Sequence, residues 1–165
     1  MSELNPDALS AQNDTNAARA TWMKMLAESD AVQIKQLWAS NPDFESLEFE
    51  IFRRPERGLV MVRARAGSAG ERFNLGEMTV TRCAVRLKDG TTGVSYISGR
   101  DVDHALIAAK IDALMQTDDH SAAAEVSFVE PLVEARRAKL QNRAEKISAT
   151  KVNFFTMVRN REDKK

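Results

Sequence analysis

The chain has 165 residues and a formal net charge of zero, a size that suits one domain and a balance that argues against a general nucleic-acid binder. A single cysteine excludes an internal disulfide and fits a reducing compartment, and no apolar run approaches the length of a membrane span. The zero hides an asymmetry: residues 1–52 hold three basic and nine acidic groups, whereas residues 53–100 hold ten basic and four acidic. All seven glycines lie in that basic block, between Gly58 and Gly99. A basic, turn-rich block in a neutral chain points to contact with an anion or an acidic partner.

In chain order, residues 1–13 are polar and aperiodic and read as a disordered start, lacking the basic and apolar regions of a secretory signal. The expected location is therefore the cytoplasm, with no membrane and no nucleic-acid partner. Asp14 or Thr15 can cap a helix whose Ala18, Trp22, Met25 and Leu26 share a face. A second helix follows Asp30, striped by Ile34, Leu37 and Trp38, and Pro42 stops it. "SLEFEIF" alternates as a half-buried strand does, and a turn at Pro55 and Gly58 leads into a second strand, "LVMVRARA". There Val60, Val62 and Ala64 share one face, and Arg63 and Arg65 the other.

A connection from Gly67 to Gly76 precedes the strand "EMTVTRCAVRL", and Asp89-Gly90 signals a two-residue type I′ hairpin into "TGVSYIS". That register sets Cys83 opposite Tyr96, Val85 opposite Val94, Arg82 opposite Ile97 and Arg86 opposite Gly93. One face then gathers Cys83, Val85, Leu87, Val94 and Tyr96 as core. The other gathers Arg82, Arg86, Ala84, Ser95 and Gly93, with Met78 and Val80 further along, a mixed surface suited to being covered. Asp101 or Asp103 caps a helix striped by His104, Ile107, Ala108, Ile111, Leu114 and Met115. Pro131 suits the first turn of a last helix, with Val133, Leu140 and Ile147 seven apart. The order predicts an α+β fold, a four-stranded antiparallel sheet flanked by N-terminal and C-terminal helices, as one domain over residues 14–151. Residues 152–165 form an apolar then charged tail, with Phe154 and Phe155 placed to dock on a partner subunit.

The chemistry-bearing residues form no catalytic set. Asp101, Asp103 and His104 cluster where a helix start places acids for its dipole, and His120 has no ligand spacing around it, so no metal site is expected. Cys83 falls on the apolar side of its strand and reads as a small core residue, where a nucleophile needs exposure and a base. "GSAG" is no P-loop, because no Lys-Ser or Lys-Thr follows it. The candidates for partner or anion contact are Arg63, Arg65, Gly67, Gly70, Arg72, Arg82, Arg86 and Arg100, together with Phe154 and Phe155. Three readings stand: an assembly-forming subunit, an autonomous phosphate- or phosphonate-anion-binding module using Gly67–Gly70 with Arg63, Arg65 and Arg72, and a small enzyme using Cys83 or His104.

"RPERGLVMVRARAGSAGERFNLGEMTVTRCAVRL", then "GVSYISGRD", "IDALMQ" and the ending "VNFFTMVR", resemble the PhnG subunit family of the bacterial carbon–phosphorus lyase, from about Thr21 to Arg159. Members of that family often read Gly-Gly-Thr/Ser-Gly where this chain reads Gly67-Ser68-Ala69-Gly70. The resemblance implies an accessory, non-catalytic subunit that works with PhnI, PhnJ and PhnH, and with PhnL for synthase activity. In that activity an alkylphosphonate such as methylphosphonate replaces adenine of ATP, giving α-D-ribose 1-methylphosphonate 5-triphosphate. It further implies that this chain binds no cofactor itself, and that the complex uses ATP and, on another subunit, an iron–sulfur cluster with S-adenosylmethionine. No catalytic residue of the family carries over onto this chain.

Overall fold

Helix starts follow the capping chemistry written in the chain. A computed structural model describes residues 6–67 and 69–149, with side chains from Thr15 onward. The first helix, α1, is described over Pro6–Glu28, so Asp14 and Thr15, the expected caps, fall inside it. Helix α2 spans Ala31–Ala39 under Asp30, whose carboxylate accepts the Val32 and Gln33 N–H groups. Pro42 does not merely end it but opens a short helix, α3, over Pro42–Glu45.

Among the described residues the sheet has three antiparallel strands, not four: β1 (Phe49–Arg65), β2 (Arg72–Leu87) and β3 (Thr92–Ser98), in that spatial order. The turn expected at Pro55 and Gly58 is absent, and the two expected strands are one strand of 17 residues. Pro55 is tolerated because β1 is an edge strand, and register shifts on either side of Arg53 absorb the irregularity. Gly58 is not among the positive-φ glycines, so its backbone has no reason to turn. The link between β1 and β2 is also shorter than expected, since β2 already begins at Arg72.

The β2–β3 hairpin is offset by one residue from the expected register. Its loop is three residues, Lys88, Asp89 and Gly90: the Leu87 N–H donates to the Thr91 carbonyl (2.9 Å) and Gly90 N–H to the Leu87 carbonyl (3.0 Å). A type I′ turn needs positive φ at both central residues, but only Gly90 (φ 92°) has it. Asp89 instead accepts the Thr91 N–H (2.8 Å) and hydroxyl (2.9 Å), which secures the longer loop. One residue of slip inverts a strand. Arg82 therefore faces Tyr96, Cys83 faces Ser95, Val85 faces Gly93 and Arg86 faces Thr92. Ser95 and Ile97 turn into the core, while Tyr96, expected inside, is 53% exposed.

One side of the sheet is covered by α4 (Val102–Leu114), with α2 packed against α4 and α1 against both α4 and β3. Ala105, Ala108, Ala109 and Ala113 are all buried, so α4 approaches the strands closely. Gly93 makes that approach possible: a Cβ there would overlap the Ala109 carbonyl oxygen and the Ala113 nitrogen. Phe128 closes the other end of the core, stacked on Trp38 (5.6 Å between rings) and tilted against Phe44 (5.2 Å). It belongs to a continuous helical run made of α5 (Ser121–Ala124), a π turn (Glu125–Val129) and α6 (Glu130–Ala149). The wider π turn sits immediately before Pro131, where an α turn would meet the proline ring. Leu132 is buried, but from Arg137 to Ala149 every residue of α6 is exposed, including Leu140 and Ile147 of the expected stripe.

A buried polar knot ties the layers together. The Asp112 carboxylate, fully buried on α4, accepts from Arg19 Nη2 (2.7 Å) and Nε (3.2 Å) and from Trp22 Nε1 (2.9 Å) on α1. It also accepts the backbone N–H of Val94 on β3 (2.9 Å), while Arg19 and Gln116 both donate to the Thr92 carbonyl (3.3 and 3.0 Å). Side chains thus occupy backbone groups of β3 that another strand would otherwise pair.

Candidate functional site

The sheet's outer face, turned away from α4, carries Arg82 and Arg86, as strand alternation requires of positions four apart. Neither guanidinium is free. Arg82 Nε donates to Glu56 Oε1 (2.6 Å), and hydrogen bonds to Tyr96 and then to Glu56 push its pKa above the ordinary value. Arg86 lies 3.7 Å from Glu50 and 5.0 Å from the centre of the Phe52 ring. Arg53 adds a further pair with Glu56 (3.6 Å). The result is a cross-strand ladder of alternating charge with Phe52 and Tyr96 exposed beside it (47% and 53%).

Beyond the body, the sheet thins to two strands. β3 pairs β2 only from Val80 to Arg86, and the Gly99 N–H donates to the Thr79 carbonyl just past it (2.9 Å), so among the described residues Leu59–Arg65 and Arg72–Met78 have no third strand beside them. The stretch from Leu59 to Arg65 spans roughly 20 Å at the usual rise of a strand. Leu59 (62%), Met61 (52%), Phe73 (45%), Leu75 (63%) and Met78 (41%) are exposed along this arm. Leu75 has no cross-strand partner, because the register shifts between Val62↔Gly76 and Arg63↔Asn74. At the tip, Arg65 sits directly opposite Arg72, with Arg63 two residues before Arg65 on the same face. Gly67 (φ 71°) turns the chain there, and a Cβ on Gly70 would run into the Ala66 carbonyl oxygen. Both glycines answer to the turn itself, and nothing crowds Gly67.

The candidate residues therefore fall into separate places. Arg63, Arg65, Arg72, Gly67 and Gly70 share the arm's tip, whereas Arg82 and Arg86 lie on the body. Arg100, whose carbonyl accepts from Arg57 Nε (3.2 Å), stands past the end of β3. Phe154 and Phe155 lie outside the described residues.

The groups considered for catalysis or metal are committed to structure. Cys83 is 2% exposed, its thiol near the Arg53 carbonyl (3.5 Å), and burial pushes its pKa up, away from the reactive thiolate. The Asp101 carboxylate caps α4 by accepting the His104 N–H (3.0 Å) and pairs with Lys35 (2.9 Å). Those two bonds, in that order of weight, lower its pKa. The His104 ring is buried, with Nε2 2.9 Å from the Leu26 carbonyl and 3.2 Å from the Ser29 hydroxyl. Among the described residues no group of three His, Cys, Asp or Glu side chains is placed to hold a metal ion, and no helix is long and apolar enough to cross a membrane.

Two side chains were missed in the sequence. Asp112 is one, and its signal was a carboxylate inside a stretch from Ala105 to Met115 that is apolar but for it and Lys110. Lys110 is the other, its ammonium 5.0 Å from the Trp38 and Phe49 ring centres, with its pKa lowered by burial.

A sequence profile described as "Phosphonate metabolism protein PhnG" matches residues 17–160. The chain belongs to the PhnG family. A protein of Rhizobium meliloti (strain 1021) described as "Alpha-D-ribose 1-methylphosphonate 5-triphosphate synthase subunit PhnG" is 39% identical over 154 residues, covering 93% of this chain and 97% of the relative. The relative's description makes it a subunit of a synthase.

Proposed function

We propose that this chain is an accessory subunit of α-D-ribose 1-methylphosphonate 5-triphosphate synthase in phosphonate catabolism, supplying docking surfaces and no reacting group. In the reaction a phosphonate oxygen forms the bond to the ribose anomeric carbon, and adenine departs with the electron pair and takes up a proton. The observation that carries the reading is the two-stranded arm. An isolated hairpin is only marginally stable in water, and this one shows apolar side chains on both faces. The covered positions of Cys83 and His104 support assigning the chemistry to other subunits.

The partners in this reading are PhnI, PhnH and PhnJ, with PhnL for the synthase step, all in the cytoplasm. ATP binds elsewhere in the complex, and the iron–sulfur cluster with S-adenosylmethionine belongs to another subunit. Val152–Val158, including Phe154 and Phe155, form a further docking segment. The test is adenine release from ATP plus methylphosphonate by PhnI, PhnH and PhnL, with and without this chain. Activity only when the chain is added, and none from the chain alone, is the expected outcome. Adenine release by the isolated chain, or full activity without it, overturns the reading.

A further inference from the structure

Three arginines at the end of the arm differ from those on the sheet body. Arg82 and Arg86 face Glu56 and Glu50 across the ladder. Among the described residues, the side chains of Arg63, Arg65 and Arg72 have no hydrogen bond or ion pair, and all three are exposed. Arg65 and Arg72 are moreover directly opposed across the strands. Like charges so placed destabilise a sheet pair, so the free subunit holds a repulsion that an acidic neighbour would relieve. On β1 the same face continues with Met61 and Leu59, more than half exposed, and Leu75 stands beside them out of the ladder.

We infer that this face of the arm is a docking surface for a partner protein that sets carboxylates against Arg63, Arg65 and Arg72 beside an apolar patch covering Leu59 and Met61. The inference rests on the subunit reading above. The pattern is that of an interface, in which arginine and large apolar side chains together make the buried anchor. A phosphate group fits less well: it would leave Leu59, Met61 and Leu75 in water. The chain's own C-terminal stretch is an unsuitable occupant by charge, because residues 150–165 hold five basic and two acidic side chains.

The experiment co-expresses the tagged full-length chain with the other synthase subunits and measures their affinity for it at rising ionic strength. Wild type is compared with the triple variants R63Q/R65Q/R72Q and R63E/R65E/R72E, and with L59S/M61S. Charge reversal should weaken assembly by about 100-fold or more and glutamine by roughly tenfold; the salt sensitivity should disappear in the glutamine variant and change sign in the reversal variant, whose repulsion salt screens. L59S/M61S should also weaken assembly while keeping the salt sensitivity. Circular dichroism of each free variant should match wild type, since none of the five side chains lies in the core.

A reversal variant that assembles within about twofold of wild type overturns the inference and leaves the subunit reading standing. Self-association of the purified chain through these arginines also overturns it, by making a second copy the occupant. So does tight binding of tripolyphosphate that is lost in R63Q/R65Q/R72Q while assembly persists, which would assign the tip to phosphate. Failure of the wild-type chain to assemble at all removes the subunit reading and this inference with it.

Discussion

Replacing Asp112 by alanine should cost about 3–5 kcal/mol, the usual penalty for removing one partner of a buried ion pair. The structure says where that cost arises. Arg19 Nη2, Arg19 Nε, Trp22 Nε1 and the Val94 N–H all donate to this one carboxylate. Arg19 is 30% exposed and can turn toward water, so its loss is the smaller part. Trp22 Nε1 and the Val94 N–H lie at the buried junction of α1, α4 and β3, and a buried donor without an acceptor costs about 1–3 kcal/mol. At this chain length the change should lower Tm by roughly 6–20 °C. Urea unfolding followed by circular dichroism measures it, with the slope checked for two-state behaviour. Asp112→Asn should lie between alanine and wild type, because its amide oxygen still accepts while its NH2 faces donors. In a double-mutant cycle Arg19→Ala should cost little once Asp112 is gone. An Asp112→Ala protein within about 1 kcal/mol of wild type would refute the claim that this knot joins the layers.

Gly93→Ala should destabilise the free subunit by about 1–3 kcal/mol or more, because α4 must move off the sheet; an unchanged denaturation midpoint counts against the close approach. Gly67→Ala should cost about 1 kcal/mol from its positive φ alone, while assembly stays intact; a large assembly defect in a folded protein would mean that a partner touches the turn. Arg86→Glu should weaken assembly several-fold and leave the free subunit folded, and a normal pull-down yield would clear the outer face of contact. Asp101 carries a lowered pKa in the folded protein, so its contribution is present above its unfolded value of 3.8 and lost as pH falls through the lower folded one. Asp101→Asn should flatten that acid limb, and an unchanged limb would place the titration elsewhere.

Local chemistry was legible where the deciding atoms are near in sequence. Asp30 and Asp101 cap helices as their positions indicate, and Pro131 and the stripe from His104 to Met115 mark helices that exist. The hairpin at Asp89-Gly90 was legible as a hairpin but not in its loop length. Asp89 can bond Thr91 instead of taking positive φ, and that choice moved Tyr96 from the expected core to the surface. Pro55 looked like a turn because nothing local says that its strand will lie on an edge. The arginines were legible as a group and not as two groups. Only the register reveals that Glu50 and Glu56, more than twenty-five residues upstream, neutralise Arg86 and Arg82 and leave the arm's tip uncompensated. Asp112 was invisible as a junction, since its donors come from α1 and β3 and share no motif with it.

The arm and the outer half of α6 also bear on how many copies a cell can keep. Until neighbours arrive, a newly made chain shows water the apolar residues of a two-stranded ribbon and a helix exposed from Arg137 to Ala149. Both open at little cost, and such segments are where proteases cut first. Surplus copies should therefore be short-lived, and their lifetime should lengthen when the other subunits are made in step. For this chain, abundance becomes a reading of how much of the assembly has been built around it.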